Sequence, residues 1–378
     1  MASTLILDGI DAVARGVGRL NGSTQAPRGL LLLRSGGIGD LILFSHVFPR
    51  FKALARDGET ISVLLRSDAA KVAFLLGPGI EVIAVDYDRF LKNPVYRWRT
   101  TRRLGARRFR IAVSTDERRH PFIDEALLAA TDAPERLALD AMAWPKYDRR
   151  LARNRRFFTR LFRLPEAAAQ GRRLHVVEKW AALAGMLTGS AAPAPVLRLP
   201  DDGLAAPARL DRPTVVIQPF SAVREKQIAA DDVGRIVDAL GAGIDVVLAG
   251  APADLEREPS FKALLTRSGT RFDGSTFAGI VPLLRAARLV ISVDSAMAHL
   301  AAAVGARTLC IASAAWVDEL VPYPAALTPA GVEFLYHPMP CAGCRAACPY
   351  PAENGMYPCV ARLDRELILA KVRALVQQ

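Results

Sequence analysis

The chain has 378 residues, 51% of them hydrophobic, and a formal net charge of +12. That length exceeds one ordinary core and suits two domains, each able to bury a sizeable interior. No apolar run reaches the length of a membrane span, and Asp8 and Asp11 interrupt an N-terminus with no basic region before its apolar residues. Neither a transmembrane helix nor a signal peptide is predicted, which leaves the cytoplasm as the default compartment.

In chain order, residues 1–20 read as an amphipathic helix with Leu5, Ile6, Ile10, Val13 and Val17 near one face, predicted to pack onto the body rather than insert into a membrane. Short apolar strands follow at Gly29–Arg34, Thr60–Arg66, Ile80–Asp86 and Arg110–Thr115, separated by helical stretches. Residues 132–186 read as mostly helical. Residues 187–213 are dense in Pro, Ala, Gly and Asp, the composition of a linker. Strands resume at 214–220, Ile244–Ala249, Leu289–Val293 and Arg307–Ala312, with helices at Asp231–Leu240 and Gly279–Ala287. A last amphipathic helix spans Ala361–Gln378. Strands alternating with helices give an α/β fold with parallel sheets. The predicted organisation is a first domain at 1–200, a second at 201–360 and the terminal helix.

The positive charge is concentrated. Between Arg89 and Arg173 there are 22 Lys and Arg against 9 Asp and Glu, or +13. Solvated helix faces account for such a run, and so does a surface for an anionic partner: a phosphorylated glycan, an acidic lipid surface or nucleic acid. No zinc finger, basic-region heptad or ribonucleoprotein motif is present, which argues against nucleic acid.

Two turns carry chemistry. Near the start, a strand runs into Arg34-Ser35-Gly36-Gly37-Ile38-Gly39-Asp40 and then a helix. Gly36, Gly37 and Gly39 let the backbone approach a ligand, and Asp40 complements the helix dipole or acts as an acid–base group. Near the end, LVISVDSAMAHLAAAVG at 289–305 reads as a buried strand, a polar turn at Asp294 and Ser295, and an Ala-rich helix stopped by Gly305. A helix N-terminus at the carboxyl end of a parallel strand suits phosphate.

Together these motifs resemble glycosyltransferase family 9, the ADP-heptose-dependent heptosyltransferases and their relatives. Ser35, Ile38, Gly39 and Asp40 match the first family motif, with an extra glycine; Asp294, His299, Leu300 and Gly305 match the second, where Thr-Gly becomes Ser295-Ala296. The resemblance implies a GT-B fold, two Rossmann-like domains with parallel sheets facing across a cleft. It implies that Asp40 is the general base of an inverting transfer, and that Lys226 offsets charge on the departing diphosphate. Ser221 would bind a phosphate oxygen, and Asp254, where the family usually has Glu, the ribose. Asp294 would hold sugar hydroxyls, with the amides of Ser295, Ala296 and Met297 facing the diphosphate. His299 reads equally as a packed histidine or a ligand contact. The implied partners are a nucleotide-sugar donor, with ADP as the expected nucleotide, and an anionic glycan or protein acceptor of the bacterial surface. Peripheral contact with the inner membrane would follow. No metal is required for catalysis in this scheme.

Four of the five cysteines, Cys341, Cys344, Cys348 and Cys359, fall within PCAGCRAACPYPAENGMYPC. In a cytosolic chain, such spacing suggests metal ligation before disulfides: a structural zinc, a single iron or an iron–sulfur cluster. Autotransporter heptosyltransferases, by resemblance, hold a cysteine-bound iron in this region. The alternatives to a transferase are a non-catalytic GT-B module that binds nucleotide sugars, and an epimerase, which would need two catalytic groups where the sequence offers one clear base.

Overall fold

The computed structural model describes residues 2–20, 27–164 and 173–377. The chain divides into two compact units, Met1–Glu166 with Glu178–Ala194, and Ala167–Val177 with Pro195–Gln378.

The first unit holds a six-stranded parallel sheet of β1 (Leu30–Arg34), β2 (Ile61–Arg66), β3 (Ile80–Val85), β4 (Ile111–Ser114), β5 (Glu135–Leu139) and β6 (Arg160–Phe162). Their spatial order is β3-β2-β1-β4-β5-β6. The central strand, LLLLR, is buried along its whole length, as expected of a strand covered on both faces; Leu30 stands beside Ile61 on one side and Ile111 on the other. Helices α1 (Ala2–Leu20), α2 (Ile38–Ser45), α3 (Phe48–Lys52), α4 (Tyr87–Lys92), α5 (Pro94–Ala106), α6 (Asp124–Ala130) and α7 (Asp148–Asn154) belong to this unit, as does α8 (Val176–Thr188) from residue 178. From α8, Trp180 meets Phe44 of α2 edge-on at 5.5 Å.

Two expectations are corrected here. The stretch 132–186 is not mostly helical: it contains β5 and β6. Both strands are short and carry arginines, and β6 is an edge strand with one neighbour, so neither shows a continuous apolar run. Residues 165–172 of that stretch lie outside the described residues. The N-terminal helix does pack on the body, but with Ile6 and Val13 facing out and Asp11 buried.

The second unit repeats the topology. Its strands β7 (Thr214–Gln218), β8 (Asp245–Ala249), β9 (Thr270–Asp273), β10 (Leu289–Val293), β11 (Thr308–Ile311) and β12 (Val332–Leu335) are all parallel in the order β12-β11-β10-β7-β8-β9. Read from the other edge, this is the same doubly wound order as the first sheet, with β7 and β10 in the places of β1 and β4. Its helices are α9 (Ala230–Leu240), α10 (Pro252–Arg257), α11 (Phe277–Ala286), α12 (Ala296–Ala303), α13 (Pro358–Ala361) and α14 (Arg365–Gln377). The predicted single terminal helix is therefore two. Asp364 interrupts it by accepting the amides of Glu366 (2.9 Å) and Leu367 (3.1 Å) at the start of α14. The Pro-rich segment after Ala194 lies on this unit: Leu197 is buried and donates its amide to Leu327, and Leu199 donates to Ala303.

Candidate functional site

In a doubly wound sheet the ligand crevice opens where the strand order reverses, at the carboxyl ends of the two central strands. In the first unit these are β1 and β4. Beyond β1, the chain turns through Ser35, Gly36 and Gly37 into α2, and Asp40 sits in the first helical turn, where its Oδ2 accepts the Gly37 amide at 2.9 Å. Arg34, at the end of β1, is buried with its guanidinium 4.4 Å from the Trp180 ring centre. It pairs with two carboxylates at once: Asp116, just beyond β4, and Asp40 at 3.3 Å. Asp116 also accepts the Ser35 amide at 2.7 Å. A methyl group on Gly36 would lie 2.5 Å from an Arg34 nitrogen and 2.6 Å from Asp40 Cβ, so only glycine fits between them. The result is a carboxylate oriented at both oxygens and still 32% exposed, a geometry suited to taking a proton from a bound hydroxyl.

Behind this loop is a polar cluster that the sequence did not announce. Asp124, the first residue of α6, is buried, with Oδ2 accepting the His120 amide at 2.6 Å. Burial, reinforced by the charge of Asp116, pushes its pKa up to about 6 against the opposing pull of the His120 amide and the Ser35 and Tyr87 hydroxyls. Among the described residues no group completes a hydrogen bond in good geometry to Asp124 Oδ1, Ser35 Oγ or Tyr87 Oη. His120 is held down at about 4 by burial and by Lys146 and Arg97.

The second unit has a counterpart at its own switch point, between β7 and β10. Asp294 follows β10 and is buried; Lys226, in the 3-10 turn Arg224–Lys226 beyond β7, donates to its Oδ2 at 2.7 Å, and Ser313 beyond β11 donates to the same oxygen at 3.2 Å. Ser295 caps α12, accepting the Met297 amide at 3.3 Å and donating to Gln218 at 2.8 Å. Ala296 opens the helix. A polar recess of about 110 Å³ lies beside this turn, lined by Phe220, Ser221, Arg224, Gln227, Asp254 and Glu258 among others. Asp254 accepts the Ala251 amide at 2.8 Å and pairs with Arg257, while Arg224 pairs with Glu258 at 2.7 Å. The cations that line this recess are already held by carboxylates. The Lys226–Asp294 pair, the Ser295-capped start of α12 and the adjacent polar recess thus gather polar groups at the switch point of the second unit.

Residues 151–332 match the family model for glycosyltransferase family 9 (heptosyltransferase). This chain carries a glycosyltransferase family 9 domain. No curated protein matches it by sequence. Among solved structures, the family 9 glycosyltransferase of Veillonella parvula aligns at 16% identity over 94% of this chain and 99% of its own, with a TM-score of 0.66. The ADP-heptose lipopolysaccharide heptosyltransferase II of E. coli aligns at 16% identity over 93% and 99%, TM-score 0.59. The E. coli heptosyltransferase WaaC, solved with ADP, aligns at 15% over 92% and 98%, TM-score 0.61. These likenesses establish the GT-B type of fold.

The other predicted residues fall as follows. Gly37 is the cap of α2 and Gly39 lies in its first turn. Ser221 lines the recess and accepts the Val223 amide. His299 is buried, its Nδ1 2.6 Å from the Tyr323 hydroxyl and its ring stacked on that tyrosine. Among the described residues no three His, Cys, Asp or Glu side chains stand in an arrangement able to hold a metal ion. Yet the four cysteines are neighbours. Burial and the nearby Cys348 and Cys344 raise the Cys341 thiol, and Cys359, buried, accepts the Ala314 amide at 3.3 Å. Sequence reasoning missed Arg34, Asp116, Asp124, Gln218 and Ser313. Asp116 and Ser313 were findable, since each follows a strand as Asp294 does.

Proposed function

We propose that the chain transfers a heptose-type sugar from a nucleotide donor, with ADP as the expected nucleotide, to a hydroxyl of a bacterial surface glycan or protein, inverting the anomeric centre. The observation that carries this reading is Asp40, oriented by Arg34 and the Gly37 amide at the switch point of the first unit, in a family 9 glycosyltransferase. In the reaction, the acceptor oxygen attacks the anomeric carbon as its proton passes to an Asp40 carboxylate oxygen, and the bond from that carbon to the diphosphate oxygen breaks with its electron pair on the leaving group. Lys226 and the amides at the start of α12 meet that developing charge. Asp294 orients Lys226 and the sugar hydroxyls, and Ser221 and Asp254 bind the nucleotide in the adjoining recess. The E. coli relative solved with ADP supports the nucleotide class. A calorimetric panel of ADP-, UDP- and GDP-sugars, followed by mass analysis of the product, tests this. Failure of every nucleotide sugar to bind contradicts it.

The four cysteines are proposed to hold a structural metal ion. The donor set is right in kind: four thiols in one segment, with burial and the neighbouring Cys344 and Cys348 raising the cost of ionising Cys341 and Cys359, a cost that a bound cation would offset. The metal would tie down a segment rich in Pro and Gly. Elemental analysis of purified protein, and a lower Tm on chelation or in Cys344→Ser, are the expected outcomes.

A further inference from the structure

Helix α1 is apolar on both sides: Ala14 is buried and Leu7, Ile10 and Val17 are partly buried beneath it, and a second apolar stripe faces out. Across residues 6–17 its carboxylates face the body: Asp11 is buried and held by Arg97 at 2.7 and 2.5 Å, and Asp8 pairs with Arg150 at 2.7 Å. Its exposed positions are Ile6, Gly9, Ala12, Val13 and Gly16, with no charged side chain among them. Ile6, Gly9, Val13 and Gly16 are spaced by three, four and three residues, which places them on one face. Nothing lies within 4 Å of a methyl group added at Gly9 or Gly16, so the stripe is open. Beside it, α5 exposes Val95 at its start and Arg99, Arg102 and Arg103 further along. Among the described residues none of these arginines forms an ion pair within 4 Å, although the charge of Arg103 acts on Glu81. Ile6, Val13 and Val95, 57–61% exposed, are the three most exposed large apolar side chains described.

A soluble surface helix turns its charges outward and its apolar stripe inward. Here the chain uses two arginines to neutralise acids underneath the helix and leaves Ile6, Val13 and the small residues between them uncharged on the outside, an arrangement that fits an apolar covering. We propose that α1 with the outer side of α5 is a docking surface for an anionic lipid bilayer, the apolar stripe entering the interface and Arg99, Arg102 and Arg103 meeting lipid phosphates. Interfacial helices combine these two elements, an apolar face and flanking cations. A second copy of the chain fits less well, because two-fold pairing along this stripe would bring the same arginines of both copies together. The inference is independent of the transfer chemistry.

The test is co-sedimentation of the full chain with vesicles of phosphatidylcholine alone and of an equimolar mixture with phosphatidylglycerol. Wild type is expected to bind the anionic vesicles, to bind the neutral ones weakly, and to be released by salt. The double variant Ile6→Asp/Val13→Asp should lose binding at least ~10-fold. The triple variant Arg99→Glu/Arg102→Glu/Arg103→Glu should lose about 100-fold or more. All five substitutions are at exposed positions, and thermal melts confirm that the variants fold. Wild type that ignores anionic vesicles, or an aspartate variant that binds like wild type, overturns the proposal. So does sedimentation velocity showing a dimer that Ile6→Asp/Val13→Asp dissociates, with no vesicle binding by either protein.

Discussion

Lys226 and Asp294 form a buried ion pair, Nζ to Oδ2 2.7 Å, at the point where the second sheet reverses its strand order. Arg34 and Asp116 make the equivalent pair at the same point of the first sheet. In each unit a cation at the end of the first central strand, or in the turn after it, is held by an acid just beyond the second. The two units thus repeat a chemical arrangement as well as a topology. One pair fixes the carboxylate of Asp40; the other fixes an ammonium.

Breaking the second pair should be costly. Asp294→Asn leaves a buried ammonium without its anion, with an expected loss of about 3–5 kcal/mol of unfolding free energy. The double variant Lys226→Met/Asp294→Leu should lose less than Asp294→Asn, since no charge is left unpaired. Urea denaturation reads both. An Asp294→Asn protein as stable as wild type would mean that the pair is not formed.

Asp124 gives stability a pH dependence of definite sign. Its folded pKa, about 6, lies above its ordinary value of 3.8, so the folded chain binds the extra proton between those limits. Its contribution is fully present below about pH 4 and is lost as pH rises through 6, by roughly 3 kcal/mol. Asp124→Asn retains an oxygen for the His120 amide and cannot ionise. It should melt higher than wild type at pH 7.5, with the gap closing toward pH 4.5. A constant gap across that range would contradict the assignment.

Gly36→Ala tests the loop that carries Asp40. The added methyl must displace the Arg34 guanidinium or Asp40 itself, a strain on the order of 1–3 kcal/mol. Sugar transfer should fall at least ~10-fold in kcat, while nucleotide affinity, which the proposed function assigns to the second unit, should stay unchanged. Equal loss of both would point to general unfolding instead.

The recess beside α10 predicts a competition between acids and phosphate. Glu258→Gln releases Arg224, which is largely exposed, from its carboxylate. ADP affinity should rise by up to about fivefold, the scale of an exposed ion pair. Isothermal titration at low and high salt measures this, and a weakened affinity would place the phosphates elsewhere.

The parallel α/β architecture was legible because its central strands are unbroken apolar runs: LLLLR, TVVIQ and LVISV each register as buried on both faces. The edge strands β6, β9 and β12 were not, since three or four residues with charges interspersed carry no clear period. The orientation of α1 was misjudged for a different reason. Hydrophobic periodicity finds the apolar face but cannot reveal that Arg97, 86 residues away, is buried beneath the helix to receive Asp11. Asp40, Lys226, Asp294 and Ser295 were singled out from strand-end position and motif together, and the structure places each at the switch point of its own unit. Arg34 and Asp124 were hidden because their roles depend on partners brought together only by the strand order.

The most direct test of the central claim compares wild type with Asp40→Asn, measuring donor affinity and single-turnover sugar transfer on the same preparation. If Asp40 is the base, the variant binds the nucleotide sugar with unchanged Kd and transfers at least ~100-fold more slowly. Transfer at the wild-type rate by Asp40→Asn would contradict the account.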